Sequence, residues 1–236
     1  MIINSKRVLL KISGESFSGN SSDLYNNIFI NKICNNIIKV YNYGYQVCLI
    51  IGGGNICRGK NLSFINIDRI SGDYMGILST MLNSIVLSSK LEKRGINTRI
   101  FSSIEIPGIL EQYVKTKVLK SFESNSIVIF ASGSGIPLFT TDTAAIIRAI
   151  EMNCVLFLKG TKVDGVYSDD PYKNINAKKI KFLSYYEVIN NSLFVMDHTS
   201  IILAKDYSLP IKVFNITENG SFIKVLRNSG NFTLIS

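Results

Sequence analysis

Apolar positions along this chain alternate between two rhythms. Runs rich in apolar residues at 7–13, 45–51, 97–101, 127–131, 155–158 and 211–214 read as strands, unbroken at 127–131 and interrupted by Lys11 in the first. Between them, apolar residues spaced three and four apart predict helices. Residues 23–43 carry Ile30, Ile33, Ile37, Ile38 and Tyr41 on such a stripe. Residues 72–91 carry Met75, Leu78, Leu82, Ile85, Val86 and Leu91, with Asp73 in the first turn, where the helix dipole favours a carboxylate. Shorter helices are predicted at 115–122, 184–190 and 197–207, and another opens within Thr140-Thr141-Asp142, any of which can cap it. Asp164-Gly165 is a hairpin-turn signal, closed by Asp169-Asp170-Pro171. Residues 220–227 and 232–235 finish the chain. Strands and helices alternate with no repeat and no Pro/Gly/Ser linker. The pattern predicts one α/β domain over residues 1–236, with a largely parallel central sheet flanked by helices on both faces, a three-layer αβα sandwich.

Composition narrows this only a little. At 46% hydrophobic and 18% charged residues the chain is globular in type and not disordered. The net charge of +9 suits an anionic ligand, but the lysines are scattered and form no basic stripe with interleaved aromatics, so nucleic acid is not the expected partner. Cys34, Cys48, Cys57 and Cys154 are isolated, without metal-ligand spacing, and three of them sit in or beside apolar runs as small buried thiols would. No metal site is expected from the protein's own side chains. The apolar start at Val8-Leu9-Leu10 is too short for a signal peptide and no segment reaches bilayer length, which makes the cytoplasm the expected compartment.

The candidate chemistry lies in the glycine loops. Ser132-Gly133-Ser134-Gly135 follows the run Ile127–Ala131 and precedes a helix start, which brings free N–H groups and a partial positive charge to one point. Gly52-Gly53-Gly54 follows another strand, and Ser13-Gly14 a third that contains Lys11. A lysine inside a buried strand requires a partner near the strand end, where it can also reach phosphate. A fourth glycine loop follows residue 158. In a parallel sheet all four loops share one edge, so they can meet in one crevice. Lys11, Arg58 and Lys162 there exceed what one phosphate chain needs, which points to a phosphate donor together with a phosphorylated acceptor. Acid-base machinery is sparse: the lone histidine, His198, reads as a surface residue at a helix start. That suits a phosphate or carboxylate acceptor, since a phosphate is already ionised with a second pKa of about 6. Gly54 to Asn61 stops one residue short of the Walker pattern, with Asn61 in place of the magnesium-binding hydroxyl, and no later strand ends in the required aspartate.

Taken in order, these motifs resemble a known family. Lys11-Ile12-Ser13-Gly14-Glu15, Ile51-Gly52-Gly53-Gly54-Asn55 with Arg58-Gly59, and Gly72-Asp73-Tyr74-Met75-Gly76 come first. Gly133-Ser134-Gly135 through Phe139-Thr140-Thr141-Asp142, Lys162-Val163-Asp164-Gly165-Val166-Tyr167 with Asp170-Pro171, and Val195-Met196-Asp197 follow. Over essentially the whole chain this is similar to the bacterial uridylate (UMP) kinases of the amino acid kinase family. The resemblance implies the amino acid kinase, or carbamate kinase-like, fold and the reaction ATP + UMP giving ADP + UDP, with Mg²⁺ held mainly by the ATP phosphates. It implies catalytic roles for Lys11, Arg58, Asp142 and Asp197. ATP contacts fall to Lys11, Ile12, Ser13, Gly14, Gly54, Arg58, Thr161, Lys162, Tyr167 and Asp170. UMP contacts fall to Gly53, Asp73, Ser134, Gly135, Ile136, Pro137, Leu138, Phe139, Thr140 and Thr141. The UMP part thus lies mainly in the N-terminal two thirds and the ATP part in the C-terminal third.

A homohexamer is implied too, with GTP as activator and UTP as inhibitor. Residues 20–25 depart from the family's glycine-containing segment beside the GTP site, which bears on whether that regulation carries over. Gly160, where alanine is usual, and His198-Thr199-Ser200 are smaller departures. Two other readings stay open. One is another amino acid kinase, acting on acetylglutamate, aspartate or carbamate; the other is a uridine-nucleotide sensor without catalysis.

Overall fold

The computed structural model describes residues 6–19, 23–57, 66–169, 171, 173–190, 193 and 195–236. In chain order it begins with β1 (Arg7–Ile12), α1 (Glu15–Ser18), α2 (Asn27–Asn42), β2 (Gln46–Ile51), α3 (Arg69–Glu92) and β3 (Thr98–Ser102). Next come β4 (Glu111–Gln112), α4 (Lys115–Glu123), β5 (Ile127–Ala131), α5 (Thr141–Glu151), β6 (Leu156–Thr161) and β7 (Val166–Tyr167). The chain closes with β8 (Lys179–Ile180), β9 (Phe182–Leu183), α6 (Tyr185–Asn190), α7 (His198–Asp206), β10 (Ile211–Asn215), α8 (Ser221–Leu226) and β11 (Thr233–Ile235).

Among the described residues, nine strands form one sheet in the order β4-β3-β5-β2-β1-β6-β10-β11-β9. The first seven are mutually parallel; β11 turns back against β10, and β9 pairs with it. The central runs in β2 and β5 are unbroken because both faces are covered. Leu9, Cys48, Ile50, Val128, Phe130 and Phe157 point into a core shared with α4, α5, α6 and α7. Val8, Leu10, Ile12, Leu49, Ile129 and Leu158 point into a second core with α1, α2, α3 and α8. This is the three-layer arrangement the alternating elements predict. No helix among the described residues is long and apolar enough to cross a membrane.

Three local expectations are corrected. The helix expected over 23–43 starts at Asn27, because Asn26 accepts from the N–H groups of Ile28 and Phe29 at 3.0 and 3.4 Å and caps it. The helix expected over 72–91 starts at Arg69, capped by Asp68, which takes Asp73 past the first turn and weakens its dipole argument. Its apolar stripe divides: Met75, Leu78, Leu82 and Ile85 are 39–52% exposed, Val86 and Leu91 face the core as expected, and Ser79, Thr80, Asn83, Ser84 and Ser88 are buried beside Met81 and Leu87. Periodicity locates a stripe on a helix but not the face the sheet covers. Finally, Asp164-Gly165 is not the turn of a hairpin. It precedes β7, which pairs with β8 across residues 168–178. Asp164 instead accepts from Tyr167 Oη and Lys179 Nζ, at 2.6 and 2.8 Å. Gly165 is needed for room, since a Cβ there would sit 2.7 Å from Thr233 Oγ1.

Candidate active site

Alternation along two neighbouring strands builds the floor of the site. Leu9 and Phe157 face the α5 layer, so Lys11 and Lys159, two residues further on, face it too. The parallel register sets Lys11 directly opposite Lys159. Two ammonium groups so placed repel one another in a site where each side chain is only 12% exposed. Asp142, in the first turn of α5, lies over both. Its Oδ1 is 2.9 Å from Lys11 Nζ and its Oδ2 2.6 Å from Lys159 Nζ. Lys159 also donates to the Val195 carbonyl. Burial by itself would raise the Asp142 carboxyl, but the two ammonium groups outweigh it and hold the carboxyl at about 2. Burial pulls Lys159 below the usual lysine range, with Asp142 opposing.

Above this floor opens a cleft of about 760 Å³. Its rim is glycine loop on two sides. A Cβ on Gly14 would lie 2.5 Å from the Gly52 carbonyl and 2.7 Å from both Asn55 Oδ1 and Gly54 N, so the first two glycine loops interlock. A Cβ on Gly53 would lie 2.7 Å from the Gly76 carbonyl, which explains the small residues on the buried face of α3. Asn83, fully buried on that face, donates at 2.7 Å to both the Gly52 carbonyl and Asn55 Oδ1, fixing the loop. Asn55 in turn donates to Leu24 O at 2.8 Å.

The third loop folds over the opposite side. Ser132, Gly133, Gly135 and Leu138 all have left-handed φ, at 63°, 55°, 76° and 72°. The Leu138 N–H donates to Asp73 Oδ2 at 2.9 Å, and Arg69 Nε holds the same carboxylate at 2.8 and 2.9 Å. Thr140 is the cap of α5: its Oγ1 accepts from the N–H groups of Asp142 and Thr143 at 3.1 and 3.2 Å. It donates to Asp197 Oδ2 at 2.5 Å, while Asp197 Oδ1 accepts from Thr143 Oγ1 at 2.6 Å and Ser200 N–H at 3.1 Å. One carboxylate thereby joins the starts of α5 and α7.

Of the residues singled out from the sequence, Lys11, Ser13, Gly14, Gly53, Gly54, Asp73, Ser134, Ile136, Phe139, Thr140, Thr141, Asp142 and Asp197 line this cleft. Gly135, Pro137 and Leu138 complete the third loop without lining it, and Ile12 is buried in the core. Arg58 and Asp170 lie outside the described residues. Three of the four expected loops line the crevice, and the fourth starts beside the first, the Ser13 N–H donating to the Gly160 carbonyl at 3.1 Å near the end of β6. There Thr161 Oγ1 bonds the backbone of Val163, at 2.8 and 2.9 Å, Lys162 Nζ donates to the Gly19 carbonyl, and Tyr167 is tied to Asp164. His198 is exposed at the first position of α7, as a surface residue.

Lys159, Arg69 and Asn83 were not singled out. Lys159 carries the same signal as Lys11, a charge inside an apolar run. Arg69 has a signal too, four residues before Asp73. Asn83 has none, because an amide on a helix reads as solvent-facing.

The amino acid kinase family model matches residues 6–215. A uridylate kinase of Rickettsia prowazekii (strain Madrid E) is 46% identical over 230 residues, covering 98% of this chain and 95% of the relative. One of Neorickettsia sennetsu (strain ATCC VR-367 / Miyayama) is 44% identical, covering 98% of each. Among solved structures, a UMP kinase from Ureaplasma parvum matches with a TM-score of 0.92 at 32% identity, over 99% of both chains. A UMP kinase from Bacillus anthracis matches with a TM-score of 0.92 at 35% identity, over 98% of this chain and 96% of its own.

Proposed function

The chain belongs to the amino acid kinase family, among its uridylate kinases, and from that premise we propose how its cleft transfers the γ-phosphoryl group of ATP to UMP. The observation that carries the reading is the pair of ammonium groups, Lys11 and Lys159, held on one carboxylate at the cleft floor where the glycine loops converge. Phosphoryl transfer calls for alignment and neutralisation of charge more than for covalent chemistry. Lys11 is assigned to the transferring group. Ser13, Gly14 and Gly54, just beyond the strand that Ile12 closes, are assigned to the donor phosphates, and Arg58 to a second balancing charge. Asp142 is ionised and engaged on both sides, so it orients Lys11 and Lys159 and does not act as a base. None is required by an acceptor phosphate that is already ionised. Asp197, with both oxygens taken, is assigned to holding Thr140 and the start of α5.

Gly53, Asp73 and the loop of Ser134, Gly135, Ile136, Pro137, Leu138, Phe139, Thr140 and Thr141 are assigned to UMP. Thr161, Lys162, Tyr167 and Asp170 are assigned to the base and ribose of ATP, one domain thus holding acceptor and donor in successive parts of the chain. Among the described residues no cluster of His, Cys, Asp or Glu has metal-ligand geometry, and the cleft carboxylates are each engaged by cations or hydroxyls. That donor set fits Mg²⁺ carried on the ATP phosphates, where it supplies further charge neutralisation.

An assay of ADP release with Mg-ATP against UMP, CMP, AMP and N-acetylglutamate tests the reading, with turnover expected for UMP alone. Release with N-acetylglutamate and none with nucleotides would instead support another amino acid kinase. UMP binding in calorimetry without any ADP release would leave a sensor. The reading extends to a homohexamer with GTP and UTP as effectors. What supports assembly is the exposed stripe of Met75, Leu78, Leu82 and Ile85 on α3, an apolar patch of the kind that marks contacts between chains. Light scattering should then return a mass well above one chain, and a monomer would refute it.

A further inference from the structure

The loop assigned to UMP is clasped from behind by residues that do not line the cleft. β3 and β5 lie in register, Ser102 opposite Ala131, and the segments leaving them are bonded reciprocally. Ser132 Oγ accepts from the Ser103 N–H at 2.7 Å, Ser102 Oγ donates to Ser132 Oγ at 3.1 Å, and Ser103 Oγ donates to the Gly133 carbonyl at 2.8 Å. Ser132 is fully buried with φ of 63°, a conformation that residues bearing a Cβ avoid unless their surroundings impose it.

Ser103 is itself held. Arg148 Nη2 donates to its Oγ at 3.0 Å. The Arg148 guanidinium stacks 3.5 Å from the centre of the Tyr113 ring and pairs with Glu151 at 2.5 Å, and Glu151 also accepts from Tyr113 Oη at 2.8 Å. A mostly buried cation on α5 thus fixes one serine hydroxyl, and that hydroxyl fixes the carbonyl of Gly133, which lines the cleft beside Ser134.

We propose that Ser103, held by Arg148, is a positioning residue for the phosphate-acceptor loop and sets the affinity for UMP without touching it. The proposal rests on the assignment of this loop to UMP. Loosening the clasp frees the left-handed turn to relax and misdirects the loop's N–H groups. The donor side, fixed separately through Asn83 and Gly14, is left as it was.

The experiment is steady-state kinetics and thermal unfolding of wild type, Ser103→Ala, Ser103→Thr and Ser132→Gly. Two hydrogen bonds are lost in Ser103→Ala, so its KM for UMP should rise about tenfold, with kcat and KM for ATP within about twofold of wild type. Ser103→Thr keeps the hydroxyl and should restore the wild-type KM. Ser132→Gly keeps the left-handed backbone but loses three hydroxyl contacts, those with Ser102, Ser103 and the Ala131 carbonyl, and should raise KM for UMP selectively as well. The proposal is overturned if KM for UMP stays at the wild-type value in Ser103→Ala, or if both KM values rise together. A wild-type protein that does not turn over UMP would instead remove the reading beneath it, and the proposal with it.

Discussion

Replacing Lys11 with methionine is expected to lower kcat for UMP phosphorylation by about a hundred- to a thousandfold, the loss typical when one oriented group that stabilises transition-state charge is removed. Methionine keeps much of the side-chain volume and discards the charge. The fold should tolerate it, because Asp142 retains Lys159 at 2.6 Å and is not left as a lone buried anion. Binding of both substrates should weaken less than turnover falls, since the charge is needed most as the phosphoryl group moves. ADP release under saturating substrates, beside a thermal unfolding curve, separates the two effects. A variant within a few-fold of wild-type kcat would take Lys11 away from the transferring group.

Asp142→Ala is expected to act on stability as well. Without the carboxylate, Lys11 and Lys159 face each other across adjacent strands, both nearly buried and neither compensated. Breaking a buried pair in this way costs about 3–5 kcal/mol. Urea unfolding at neutral pH measures it, and a loss under about 1 kcal/mol would contradict the arrangement. The same carboxylate shapes the acid limb of stability. Its folded pKa, about 2, lies below the ordinary 3.8, so the folded protein binds fewer protons here than the unfolded chain. The contribution is fully present above about pH 4 and is lost as pH falls towards 2. It amounts to about 2 kcal/mol for this buried group. Wild type should therefore lose stability more steeply than Asp142→Ala between those pH values, and parallel curves would argue against it.

The fold was legible because the central strands β2 and β5 are apolar runs followed by glycine loops, a pattern that suits a sheet covered on both faces. The same pattern exposed Lys11 as a charge in need of a partner near its strand end. Lys159 carries a similar charge at the end of an apolar run, but its meaning lies in the register that sets it opposite Lys11. α3 shows a different kind of limit. Part of its apolar stripe is exposed, while the buried face carries serine, threonine and asparagine beside Met81, Leu87 and Leu91, since Gly53 approaches Gly76, Ser79 and Thr80 closely there. Close approach between backbones leaves no periodic signature. Asn83 and Ser103 act on carbonyls far away in sequence, so their roles exist only in the folded chain.

The central claim is that one phosphoryl group passes directly from ATP to the phosphate of UMP in this cleft. Phosphorus NMR of the wild-type protein with Mg-ATP and UMP follows every phosphate at once. The account predicts that the ATP γ signal and the UMP signal decline together while those of ADP and UDP grow in equal amounts. Growth of inorganic phosphate with UMP unchanged, or no change in any signal, would contradict it.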